Sequence, residues 1–249
     1  VAPALALLVA AHHGWRATMR LVGLAGLVFM GLSVFARRRV DPGKPLPDRA
    51  FVDDGRDEVR MATFVTLSGV GFLDSATRAA ALTFIPFVLV EKGMSTEQTF
   101  AMLMLLLVGG AVGKFVCGWL DDRYGSVSII WGTKILTASL LVLSLAPLGG
   151  AIAPLMLVLG IGLNGTSSVL YGAVSEFVPP SRRARSYGFF YTTNEVGGFL
   201  APLFYGIVAD VLSLRATMVI MGLLTTLILP VSLPLTRYLP PVGQRGPKP

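Results

Sequence analysis

Apolar runs of about the length a helix needs to cross a hydrocarbon core, ~20 residues, recur along the whole chain with short polar turns between them. They lie near 16–36, 61–90, 96–119, 127–148, 152–176, 185–211 and 215–236, after a shorter run at about 1–11. The expected fold is an all-α integral membrane bundle of about seven full transmembrane helices plus one partial. The run at 1–11 starts without an initiator Met or a basic leader, so it reads as the tail of a truncated helix rather than a signal peptide.

Composition agrees, with 53% hydrophobic and only 14% charged residues, against roughly 25% charged in a soluble domain. The formal net charge of +7 does not point to nucleic acid, because the cations sit in loops between apolar runs and not along one face. Cys117 is the single cysteine, which excludes a disulfide framework and a Cys-based metal site. His12 and His13 have no metal partner nearby, and no nucleophile triad, phosphate loop or dinucleotide fingerprint occurs. No cofactor and no metal are expected, and the chain is not read as an enzyme.

The loops sort by charge. Arg37, Arg38, Arg39, Lys44, Arg49, Arg56 and Arg60 fill the long loop after the second run, and later loops carry Arg123 and then Arg182, Arg183 and Arg185. The alternate loops hold Lys92, no cation, and Arg215. Every second loop is therefore expected on the cytoplasmic side. The stretch 37–60, with Pro42, Pro45 and Pro47 among alternating charges, reads as a linker between two bundles. The expected organisation is 1–36 as the last helices of a first, truncated bundle, 37–60 as a cytoplasmic linker, 61–238 as a six-helix bundle and 239–249 as a cytoplasmic tail.

The turn Gly118-Trp119-Leu120-Asp121-Asp122-Arg123-Tyr124-Gly125 has its own physical logic. Gly118 lets two helices approach, and Asp121 or Asp122 can accept from the N–H groups of a helix N-terminus. Arg123 can bind helix C-terminal carbonyls or a carboxylate, and Gly125 supplies an unusual backbone angle. Two readings stand: a solvated turn, or a latch that forms in one conformation and breaks in another.

The same turn resembles the loop signature of the major facilitator superfamily of secondary transporters. So do His13-Gly14-Trp15-Arg16 before a glycine-rich helix, Glu176-Phe177-Val178-Pro179-Pro180 with Arg182, Arg183, Arg185 and Gly188, and Gly197-Gly198 with Ala201, Pro202, Gly206 and Asp210. The resemblance implies a twelve-helix protein of two halves, of which this chain holds the second and the end of the first. It implies alternating access by two rocking bundles, with the helices at 61–90 and 152–176 lining the cavity.

Charges inside spans are costly, at least ~2.5–3.5 kcal/mol each on insertion scales. Asp74 lies roughly 20 Å into its helix and Arg78 one turn further. Their spacing puts them on one face, either as a self-neutralised pair or facing the cavity, where Arg78 would hold an anion and Asp74 a proton or cation. Glu195, next to Asn194 and roughly 15 Å deep, is either a proton-coupling carboxylate or a hydrogen-bonded contact between helices. Asn164 and Tyr171 fall in a polar stripe with Thr166, Ser167 and Ser168, and those last three read as packing. Lys114 and Lys134 read as snorkelling towards the cytoplasmic ends, with neutralisation of Glu195 as an alternative for Lys114.

The expected substrate and proton site is thus Asp74, Arg78, Asn164, Tyr171, Asn194 and Glu195, and the expected gate is Gly118, Asp121, Asp122, Arg123 and Gly125. The function read from this is proton-coupled transport of an organic anion or a drug-like compound across the cell (plasma or inner) membrane. Its partners would be that small molecule, protons, the lipid bilayer and the missing N-terminal bundle, with no nucleic acid. A seven-helix receptor or sensor, and an intramembrane enzyme built on Asp74 and Glu195, are the alternatives.

Overall fold

The structure, a computed structural model, describes residues 2–37, 57–147, 149–178 and 182–237. Among them every regular element is helical: α1 (Ala2–Arg37), α2 (Asp57–Glu91), α3 (Thr96–Tyr124), α4 (Ser126–Leu143), α5 (Ile152–Phe177), α6 (Arg183–Val211), α7 (Leu214–Thr226) and α8 (Ile228–Ser232), with short 3-10 turns at Gly149–Ala151 and Leu233–Arg237. The chain divides into two units, 1–52 and 53–249. Most of the expected linker and all of the expected tail lie outside the described residues.

In the first unit Gly14 takes φ 77° and ψ 160°, so α1 is two helices joined where His13-Gly14-Trp15-Arg16 suggested a hairpin. A positive φ is available to glycine without a Cβ clash. Thr18 Oγ1 then donates to the Gly14 carbonyl at 3.2 Å and secures the start of the second helix.

Among the described residues six stretches are long and apolar enough to cross a membrane: Arg16–Phe35, Met61–Glu91, Thr96–Tyr124, Ser126–Leu143, Gly149–Phe177 and Leu214–Arg237. The remaining expected span, α6, is 29 residues and so ~43 Å long. Its polar run Thr192-Thr193-Asn194-Glu195, with Arg183 and Arg185 near its start, keeps it below that apolarity. The last span does not form one helix. Pro230 and Pro234 lack the N–H that a continuing helix would use, and α7 gives way to α8 and a 3-10 turn.

Local signals set the other ends. Ser95 and Gln98 form a reciprocal capping box at the start of α3, and Ser213 accepts from Ala216 N at 3.1 Å to cap α7. Lys92 Nζ donates to the Ala146 carbonyl, which ties the α2–α3 connection to the α4–α5 connection at one end of the bundle.

The charged turn at 118–125 is a correction. Gly118 through Tyr124 continue α3, and the reversal into α4 is made by Gly125 alone, with φ 85° and ψ 150°. A Cβ on Gly118 would meet nothing within 4 Å, so it is not a point of close helix approach. The close seam lies higher on α3, where a Cβ on Gly109 would fall 2.0 Å from the Leu157 carbonyl oxygen and one on Gly113 would fall 2.7 Å from that of Ile161. Gly160 on α5 returns the fit, 2.0 Å from the Leu106 carbonyl oxygen. Small residues thus bring the α3 and α5 backbones together, as membrane helices without a hydrophobic drive require.

The core of the second unit has two apolar layers. One is built on Leu67, Val70, Ile130, Leu170, Val174, Phe190 and Ile228, and the other on Ala80, Ile85, Leu141, Met156, Leu163, Met218 and Met221. Between them α2, α4, α5 and α7 each supply polar groups. Thr77 and Thr225 share a hydrogen bond at 3.2 Å, Thr133 and Thr166 share one at 2.8 Å, and Asp74 lies beside Lys134. Thr166 therefore packs between helices, as its residue type suggested.

Candidate functional site

Lys134 is 0% exposed and Asp74 2% exposed, and Lys134 Nζ donates to Asp74 Oδ1. This overturns two expectations. Lys134 does not snorkel, and Asp74 takes its partner from α4 instead of from Arg78. An ammonium and a carboxylate can both stay ionised away from water only when each compensates the other. Arg78 Nη2 donates to Ser75 Oγ at 3.2 Å and is partly exposed. Asp74 faces the bundle core, where Lys134 of α4 meets it, whereas Arg78 one turn further on is partly exposed.

A second group of polar and aromatic side chains lies along a partly exposed stripe of α5 and continues onto α6. Asn164 Nδ2 is 3.5 Å from the Gly160 carbonyl, and its amide lies over Gly110 of α3, where a Cβ would come within 2.5 Å of it. Ser168 Oγ donates to the Lys114 carbonyl at 3.1 Å. Tyr171 stacks on Tyr191 with ring centroids 4.7 Å apart and meets the edge of Phe190 at 5.4 Å. The Tyr187 hydroxyl donates to the Tyr171 carbonyl at 3.0 Å, which pins α6 to α5. Tyr191 is 49% exposed, and Glu195, one turn along α6, is also exposed.

Asn194 turns the other way. It is 4% exposed, its Oδ1 accepts no hydrogen bond among the described residues, and it presses on Gly71 of α2, where a Cβ would come within 2.5 Å of that oxygen. Of the expected site residues, the structure groups Asn164, Tyr171 and Glu195 along one stripe, and leaves Asn194 of α6 buried against α2 and Asp74 of α2 buried against α4. The residues that sequence reasoning missed in these roles are Lys134, as the partner of Asp74, and Ser168, as the tie to α3. No one-dimensional pattern marks either, because both depend on how neighbouring helices are rotated.

At the expected gate, the Arg123 guanidinium lies 5.9 Å from the Tyr124 ring centroid, and Asp121 Oδ1 is buried with no hydrogen-bond partner among the described residues. Asp121 O accepts from Gly125 N at 3.0 Å and closes the helix end. Among the described residues, the clefts elsewhere in the second unit include one of about 220 Å³ between α2, α6 and α7, lined by Phe72, Thr77, Gly197 and Tyr205, and one of about 520 Å³ at Thr63, Thr66, Pro234 and Arg237. Neither includes the α5–α6 stripe. Among the described residues no cluster of His, Cys, Asp and Glu could hold a metal ion.

Comparison with known proteins matches the family model described as Major Facilitator Superfamily over residues 1–133 and 67–249. The gentisate transporter of Corynebacterium glutamicum is 26% identical over 232 residues, covering 83% of this chain and 49% of that protein. The benzoate transport protein of Acinetobacter baylyi is 27% identical over 128 residues, covering 49% of this chain and 27% of that protein. The chain thus spans about half the length or less of these curated relatives. A crystal structure of the peptide transporter POT in complex with sulfate shares the fold, with a TM-score of 0.56 at 21% identity, over 77% of this chain and 40% of that one. With these matches, its all-helical bundle and its membrane-length apolar helices, the chain is a multi-pass membrane protein that belongs to the Major Facilitator Superfamily of transporters.

Proposed function

We propose that this chain is the second bundle, with the end of the first, of a proton-coupled transporter of small organic acids that works by alternating access. The observation that carries the reading is the stripe of Asn164, Tyr171, Tyr191 and Glu195, which sets amide, aromatic and carboxylate groups along one partly exposed face of α5 and α6. An aromatic stack beside polar groups suits a small, flat, polar-tipped solute. Gentisate and benzoate, named for two relatives, are aromatic carboxylates of that kind.

In this reading Glu195 exchanges the proton, because it is the carboxylate on the open stripe, and Asn164, Tyr171 and Arg78 contact the solute. Asn194 and Asp74 support the site from behind. Asp121, Asp122, Arg123 and Gly125 end α3 at the inner surface and act as the latch between conformations, with Gly118 a passive part of that helix. The organisation into residues 1–36, the linker 37–60, the bundle 61–238 and the tail 239–249 belongs to the same proposal.

The test is uptake of radiolabelled benzoate and gentisate by sealed vesicles that contain the full-length protein, with and without an imposed proton gradient. Accumulation that needs the gradient supports the reading. Equilibration of either solute at the same level with and without the gradient removes proton coupling, and absence of flux for both removes aromatic acids as substrates.

A further inference from the structure

We infer that Lys114 is the anchor for the carboxylate of the transported acid, so that the site is built for an aromatic monocarboxylate with its anionic end towards α3 and its ring towards the Tyr171–Tyr191 stack. The inference rests on the transporter reading above and deepens it.

Three cations lie well inside α2, α3 and α4, and two of them have a side-chain partner in the bundle. Lys134 is buried against Asp74, and Arg78 is held to Ser75 on its own helix. Lys114 is exposed, and no carboxylate among the described residues lies within ion-pair distance of it. A cation inside a membrane-spanning helix is retained where it meets a partner or a pathway for a charged solute.

The register places Lys114 beside the polar stripe. The glycine seam brings the α3 and α5 backbones into contact, and Ser168 Oγ holds the Lys114 carbonyl at 3.1 Å. Asn164 lies over Gly110, one helical turn before Lys114 on α3. On α5 one turn past Ser168 is Tyr171, stacked at 4.7 Å on Tyr191, and one turn past Tyr191 on α6 is Glu195. Lys114 on α3 and Glu195 on α6 therefore flank α5 at nearly the same height, with an aromatic platform next to them. An ammonium supplies up to three donors to a carboxylate, the Asn164 amide is near enough in register to share it, and the half-exposed face of Tyr191 offers ring contact.

The test is equilibrium binding of radiolabelled benzoate to the purified full-length protein, comparing wild type, Lys114→Gln and Lys114→Arg. Loss of a charge-assisted hydrogen bond predicts benzoate binding about tenfold or more weaker in Lys114→Gln. Lys114→Arg, which keeps the charge, is expected to bind more tightly than Lys114→Gln. Melting temperatures within a few degrees of wild type would tie the loss to the site and not to folding. Wild-type affinity in Lys114→Gln, or equal loss in both variants, overturns the assignment while leaving aromatic-acid transport intact. A wild-type protein that neither binds nor carries benzoate or gentisate overturns the aromatic-acid reading of its function, and the Lys114 assignment with it.

Discussion

Asp74 on α2 and Lys134 on α4 form an ion pair inside the second bundle, with neither side chain in meaningful contact with solvent. The pair sits between two apolar layers, so its contribution is unequal under mutation. Removing one partner strands a buried charge, at a cost of about 3–5 kcal/mol, whereas replacing both by neutral groups is often tolerated. Asp74→Asn and Lys134→Met are each expected to lower the melting temperature of the purified full-length protein sharply, and the double variant to recover most of the loss. Additive losses in the double variant would contradict the pairing.

The glycine seam makes a graded prediction. Gly109→Ala drives a Cβ onto the Leu157 carbonyl oxygen, 2.0 Å away, and overpacking of that kind costs about 1–3 kcal/mol. Gly118→Ala meets open space and is expected to stay within about 0.5 kcal/mol of wild type, or to stabilise through helix propensity. Thermal unfolding of the two variants side by side checks this, and a larger loss at Gly118 would contradict the seam's position.

Gly125 turns α3 into α4 as a single residue with φ 85° and ψ 150°, a region open almost only to glycine. Gly125→Ala should cost about 1–3 kcal/mol. The check is its melting temperature together with its transport rate. An unchanged protein would mean that the turn accepts a Cβ by relaxing.

The apolar runs were enough to locate the membrane helices, because a backbone in lipid has few alternatives and length alone separates spans from turns. The ends moved where short-range chemistry acts. Gly118 through Tyr124 extended α3, since nothing before Gly125 breaks a helix, and Pro230 and Pro234 divided the last span. The site was legible in parts. Asn164 and Tyr171 share a stripe because positions two turns apart fall on one face of α5, Glu195 follows Tyr191 by one turn on α6, and Tyr171 reaches Tyr191 only through the packing of α5 on α6. Lys134 was not legible as a core residue, since its partner lies 60 positions away on another helix, and the rotation that joins them is set by all the surrounding contacts. Asp74 and Arg78 misled for the same reason: their spacing permits a pair, and the bundle chose a different one.

Coupling through Glu195 is the central functional claim, and it separates two kinds of flux. In sealed vesicles containing the full-length protein, Glu195→Gln is expected to abolish accumulation of radiolabelled benzoate driven by a proton gradient, yet to retain exchange of labelled for unlabelled benzoate, which needs the site but no net proton movement. Gradient-driven accumulation at the wild-type level in Glu195→Gln would contradict the account directly.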